Sequence, residues 1–314
     1  MRQICCLITL LLCSCLSSTK DREWWHENGK VKVLSTIEMI DNIVQEVGGD
    51  YVDTLSLVHG ELDPHSYELV KGDDEKFLHA NIIFYNGLGL EHSASMRENL
   101  ERNPKAVAVG DPILKEDPSL ILKIDNQYDP HIWMDITLWM RTIRTIVNAL
   151  CDVDPAHARE YTIAGERLFS KMESADRIVY QTMQSIPSDR RYLVTSHDAF
   201  HYFTRRYLAQ PNELNWRSRC AAPEGLAPDA QLSIADVYKI LTHVEKYGVF
   251  VLFPESNLSR DSLKKIMRAS KERGVPISLA EEPLFGDAMG NAGSYLEMIS
   301  HNVGVISREL MRSQ

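Results

Sequence analysis

Residues 154–185 carry an apolar stripe that does not break: Tyr161, Ala164, Leu168, Met172, Ala175 and Val179 recur at three- and four-residue steps. Asp154 and Pro155 suit a helix N-cap and first turn, and Pro187 stops the run. At 1.5 Å per residue such a helix is about 45 Å long, more than one small lobe can use. The expectation is a helix that runs along the molecule and links two lobes. A chain of 314 residues with 44% hydrophobic content is long and apolar enough to build both.

On either side of that stripe, short β-branched runs alternate with helical patterns. Before it, strands are predicted at 31–34, 54–58, 81–85 and 106–109, and Ile40, Ile43, Val44 and Val47 line a helix that Gly48 and Gly49 end. After it, strands at 192–195, 249–253 and 277–280 alternate with helices near 233–247, 259–273 and 293–311. Alternation of this kind builds βαβ units and parallel sheets. The predicted fold class is α/β: two parallel-sheet lobes joined by one long spanning helix. The N-terminal lobe is expected over 31–153, the linking helix over 154–186 and the C-terminal lobe over 187–314. No internal repeat can be read residue by residue, and the chain has no low-complexity tract and no histidine-rich run.

The N-terminus reads as an export signal. Arg2 precedes an apolar run over 4–12, too short for a bilayer-spanning helix, and Ser14 precedes Cys15. Leu12-Cys13-Ser14-Cys15 is similar to a bacterial lipoprotein box, so 1–15 is expected to be removed and Cys15 to carry the lipid. A plain signal peptide cleaved nearby is the alternative. The polar segment 16–30 would then serve as a tether. Cys5, Cys6, Cys13 and Cys15 fall in this leader, which leaves Cys151 and Cys220 for the mature fold, too few for a disulfide scaffold. A formal net charge of -10 argues against a nucleic-acid partner and favours cations.

Three of the eleven histidines sit where strands end, the place open α/β sheets put their ligand sites. His65, in Asp63-Pro64-His65-Ser66-Tyr67-Glu68, follows the strand at 54–58 and is expected at a helix start. His131 repeats that grammar in Asp129-Pro130-His131-Ile132-Trp133-Met134-Asp135. His197 closes the run Leu193-Val194-Thr195-Ser196-His197, and His201 lies one turn on. Asp287, between Gly286 and Gly290, stands in a turn where backbone can approach a ligand closely; a turn aspartate bonding its own backbone is the plainer reading. Glu255, after the strand at 249–253, is a carboxylate placed to support a ligand from behind. The pair His197 and His201 also has the His-x-x-x-His spacing of zinc hydrolases, but Asp198 stands where the longer catalytic glutamate is needed. The plainer place for His201 is partly buried beside Phe200 and Tyr202.

Taken together these segments resemble the metal-binding solute-binding proteins of ABC importers, the cluster A-I group, over nearly the whole mature chain. The likeness rests on the motifs around His65 and His131, on Thr195-Ser196-His197-Asp198-Ala199-Phe200 and on Asp287-Ala288-Met289-Gly290, in the family's order and approximate spacing. It leans toward the TroA and chlamydial YtgA branch, with Tyr295-Leu296-Glu297-Met298 and His301-Asn302. The resemblance implies one divalent transition-metal ion, zinc, manganese or ferrous iron, held between the lobes by His65, His131, His197 and Asp287. It further implies a monomer attached to the envelope, a membrane permease as partner and no enzymatic activity.

Two departures from the family bear on the metal. The histidine- and acid-rich loop of zinc-specific members is absent, which favours manganese or iron, whereas the manganese branch often has glutamate where this chain has His197. The spanning helix would act as a stiff spine that limits hinge closure and leaves release to local shifts of Asp287 or His197. Two other classes stay open from the residues alone: a secreted zinc-dependent hydrolase built on His197 and His201, and a surface adhesin.

Overall fold

The computed structural model describes residues 24–228 and 232–312. The expected leader, with the lipid attachment expected at Cys15, lies outside the described residues. The expected tether is corrected at its end: Trp24 is fully buried and its indole donates to the Val33 carbonyl at 3.2 Å, so the folded part begins before residue 30.

Four parallel strands form the first sheet: β1 (Val31–Ile37), β2 (Val52–Val58), β3 (Ile82–Tyr85) and β4 (Ala106–Ala108), in the order β2-β1-β3-β4. Every residue of β1 is buried, as a central parallel strand covered on both faces requires. Crossover helices α1 (Glu38–Gly48), α2 (Asp73–His79), α3 (Ala94–Arg102) and α4 (Asp111–Glu116) connect and extend these strands. A short antiparallel pair, β5 (Lys123–Ile124) and β6 (Gln127–Tyr128), leads to the helical turns α5 (Ile136–Trp139) and α6 (Thr142–Val153).

The long helix α7 runs over Ala158–Gln184, 27 residues and about 40 Å. Asp154 does not cap it as expected. A tight turn, Pro155–His157, intervenes, and the Asp154 carboxylate instead accepts from the Tyr161 hydroxyl at 2.7 Å and lies 2.7 Å from His157 Nδ1. The buried stripe includes Gly165, where an added Cβ would strike Val147 on α6, so glycine lets α6 and α7 pack closely.

Beyond α7 the strands are shorter than the sequence suggested. Two parallel pairs, β7 (Leu193–Val194) with β8 (Cys220–Ala221) and β9 (Val251–Leu252) with β10 (Ser278–Leu279), are joined side by side where Phe253 N donates to Val194 O at 2.8 Å. The one-turn helix α8 (His201–Phe203) follows β7. Helices α9 (Ile234–Tyr247), α10 (Asp261–Glu272) and α11 (Tyr295–Met311) complete this half. Ser233 and Asp236 form a reciprocal capping box at the start of α9.

The largest hydrophobic cluster is continuous from Val31 in β1 through Leu168 and Met172 on α7 to Leu310 on α11, so both sheets share it with the spine. Smaller clusters lie under the outer faces of each sheet. Cys151 and Cys220 are both free thiols. Among the described residues no helix is long and apolar enough to cross a membrane.

Candidate metal centre

His65 follows β2 in a turn rather than a helix start, since the next helix begins only at Asp73. The two Asp-Pro-His segments share one device. The carboxylate of Asp63 accepts the His65 backbone N–H at 2.9 Å, and that of Asp129 accepts the His131 backbone N–H at 3.1 Å. Proline fixes the intervening residue, so each turn holds its imidazole at one angle. His197 lies just beyond β7, its backbone N–H donated to Glu255 Oε1 at 2.9 Å. Asp287 lies beyond β10 in a loop pinned to α11 by two bonds of 2.8 Å between Asn302 and the Phe285 backbone. At Gly286 an added Cβ would run into the Glu255 carboxylate.

These folds bring His65, His131, His197 and Asp287 together, with one donor atom from each lying within 4.8 Å of all the others. His65 Nε2 is 3.2 Å from His131 Nε2 and 3.5 Å from Asp287 Oδ2; His131 Nε2 is 3.4 Å from Asp287 Oδ1, and His197 Nε2 is 3.0 Å from Asp287 Oδ2. Metal bonds of about 2.0–2.1 Å at tetrahedral angles put neighbouring donors about 3.4 Å apart. All four residues are at most 4% exposed, and neither oxygen of Asp287 has a hydrogen-bond donor. Buried acceptors left this way are costly unless a cation or proton sits among them.

Behind the four stand residues that orient them. His131 Nδ1 lies 2.7 Å from Asp129 Oδ1, and His197 Nδ1 lies 2.8 Å from Glu255 Oε2. An Nδ1–H pointed at a carboxylate leaves the Nε2 lone pair for an ion. Asp129 Oδ2 in turn lies 3.2 Å from His201 Nδ1. Burial raises the cost of ionising Asp129, yet His131 and His201 outweigh it and hold the carboxyl at about 2. Burial likewise opposes a charge on His131, but Asp287 and Asp129 hold it up at about 9; His197 is driven well above its ordinary value by Glu255 and Asp287 against the same burial. His65, with burial dominant, is held below its ordinary value despite Asp287. Asp287 is depressed well below the carboxylate range, its burial outweighed by His197 and His131.

The His-x-x-x-His pair does not survive folding. His197 precedes the helical turn that His201 opens, and the two rings face different partners, so they do not share one helix face. Sequence reasoning assigned no role to Asp129, although the repeated Asp-Pro-His grammar was the available signal. It also passed over Trp133 and Tyr295, which tie the two halves together beside the donors.

Residues 33–309 match the family described as zinc-uptake complex component A, periplasmic. The chain belongs to that family. The solved structure of Fe(III)-bound YtgA from Chlamydia trachomatis superposes with a TM-score of 0.85 at 40% identity, covering 90% of this chain and 98% of that one. The zinc-binding protein TroA of Treponema pallidum is 30% identical over 289 residues, 91% of this chain and 90% of TroA. The manganese-binding lipoprotein MntA of Bacillus subtilis is 27% identical over 287 residues, 90% of each. These relatives are named for the metals they bind, not for a reaction. Membership makes this protein a metal-binding component of a metal-uptake system of the ABC type.

Proposed function

We propose that this protein is the extracytoplasmic substrate-binding component of an ABC importer, that it binds one transition-metal ion on His65, His131, His197 and Asp287, and that it delivers the ion to a membrane permease. The observation that carries this reading is that four buried residues each bring a donor atom within 4.8 Å of all the others, with four of the contacts among them at 3.0–3.5 Å, near the edge length of a tetrahedral metal site. Four protein donors leave no open position for catalysis, so the ion is cargo. Three imidazoles and a carboxylate suit zinc, manganese or iron over calcium and magnesium.

His65 and His131 belong to the N-terminal lobe and His197 and Asp287 to the C-terminal lobe, with 154–186 as the link. The shared core along α7 favours release by local movement of the Asp287 or His197 segment over wide hinge opening. A monomer anchored by lipid at Cys15 completes the proposal; Leu12-Cys13-Ser14-Cys15 and the kinship to a lipoprotein support it.

The reading is tested by loading the protein with zinc, manganese or iron and offering it to proteoliposomes that contain the cognate permease. One ion per chain and ATP-dependent uptake only with loaded protein are expected. Uptake of free ion at the same rate without the protein would refute delivery.

A further inference from the structure

His65 differs from the other imidazoles at the centre in what lies beside it. A fourth ring, that of His92, has its centroid 5.8 Å from that of His65. The rings of the three histidine donors stand 5.1, 5.3 and 6.2 Å apart, so His92 is as close to His65 as the donors are to one another. Yet His92 is exposed while His65 is buried, and His92 is not one of the four clustered donors. Two imidazoles bound to one ion through bonds of about 2.0–2.1 Å place their ring centroids roughly 5–6 Å apart, so this pair fits a shared ion.

The position of His92 is built rather than incidental. On one side, buried Glu91 accepts from the Thr36 hydroxyl and the Asn86 N–H, both at 2.7 Å, and from the Gly87 N–H at 3.1 Å. On the other, Ser93 donates to the Tyr67 carbonyl at 2.5 Å and Ser95 accepts the Leu69 N–H at 2.9 Å. Those bonds tie the segment bearing His92 to the residues just after His65. The backbone that carries exposed His92 is thus anchored at the rim, beside a donor whose neighbours are sealed in.

We infer that His92 is a further, transient metal-binding residue that pairs with buried His65 at the rim of the site and passes the ion between solvent and the four clustered residues. The inference rests on the proposed function, because it takes the buried site as the ion's destination. A residue that binds the ion only in transit lowers the barrier in both directions, so its loss slows capture and release alike and leaves the equilibrium affinity unchanged.

The test is stopped-flow mixing of the mature protein with free Zn2+, and of zinc-loaded protein with excess chelator, for wild type, His92→Ala and His92→Gln. His157→Ala, whose ring stacks on Tyr51 at the start of α7, is the control. Both rate constants are expected to fall about tenfold in the His92 variants, with Kd and thermal midpoint unchanged and the control at wild-type rates. Unchanged rates would overturn the inference, as would a weakened Kd with faster release, which would make His92 part of the loaded site. Failure of the wild type to bind zinc at all would instead remove the proposed function.

Discussion

The indole N–H of Trp133 donates to the carbonyl of Gly286 at 3.0 Å, joining the residue two beyond His131 to the residue just before Asp287. The Trp133 carbonyl accepts from the Tyr295 hydroxyl at 2.7 Å, so the same residue is bound twice to the opposite half of the molecule. Donors from the two halves are therefore held in register by a fully buried side chain. Trp133→Phe keeps most of the ring and removes the donor. A stability loss of about 1–3 kcal/mol is expected from the unsatisfied Gly286 carbonyl, with faster metal release. Chemical denaturation and chelator-driven release check it; a variant with wild-type values would show that this link does not position the donors.

Glu255 accepts the His197 backbone N–H with one oxygen and sets the other 2.8 Å from His197 Nδ1. Glu255→Gln retains an acceptor but loses the charge that favours Nδ1–H. Metal affinity is expected to drop roughly 10- to 100-fold while the stoichiometry stays at one ion. Competition against a chelator of known affinity measures this, and an unchanged constant would deny Glu255 an orienting role.

His201 touches Asp129 rather than the donor cluster. His201→Ala is expected to leave one bound ion per chain and to weaken binding less than Asp129→Ala does, because Asp129 also holds His131. Loss of the ion in His201→Ala would revive the hydrolase arrangement.

Gly286→Ala adds one methyl group where the Glu255 carboxylate and the His197 ring already meet, the latter 3.4 Å from that point. The Glu255 side chain must then move. Weaker metal binding at nearly unchanged fold content is expected by titration and circular dichroism, and wild-type affinity would show that the contact is slack.

The pH dependence follows from the direction of each shift. His131 is held up at about 9 in the metal-free protein, so its bound proton stabilises the fold fully below the ordinary imidazole value of about 6.5, and this contribution is lost as pH climbs toward 9. Asp287 runs the other way, its depressed value giving stability above the ordinary carboxylate range that is lost only in acid. Metal competes with the imidazole protons. The zinc-induced rise in thermal midpoint is expected to grow between about pH 6 and pH 8, and a rise independent of pH would contradict this site.

The four residues that the fold clusters were legible as candidates because each lies in a short, punctuated segment: an Asp-Pro-His turn for His65 and His131, a run into a polar junction for His197, a glycine-flanked turn for Asp287. Those signals are local, and so is the physics that makes them. The contacts between them are not. That Asp129 would reach His201, 72 positions later, depends on how α8 docks, with the Tyr202 hydroxyl donating to the Asp129 carbonyl at 2.9 Å, and no local pattern encodes it. The short strands of the second half show the same limit. Residues 249–253 are apolar enough for a full strand, but only Val251 and Leu252 pair with β10. Asn302 and Tyr295 belong to the stripe and start of α11, and their bonds to Phe285 and Trp133 become visible only once the helix is packed.

One measurement bears most directly on the metal centre: zinc content and competitive affinity of the mature protein, compared with His65→Ala, His131→Ala, His197→Ala and Asp287→Ala. One ion per chain in the wild type, and a loss of at least about 100-fold in affinity in each variant, is the expected result. Stoichiometric binding that survives all four substitutions would contradict it.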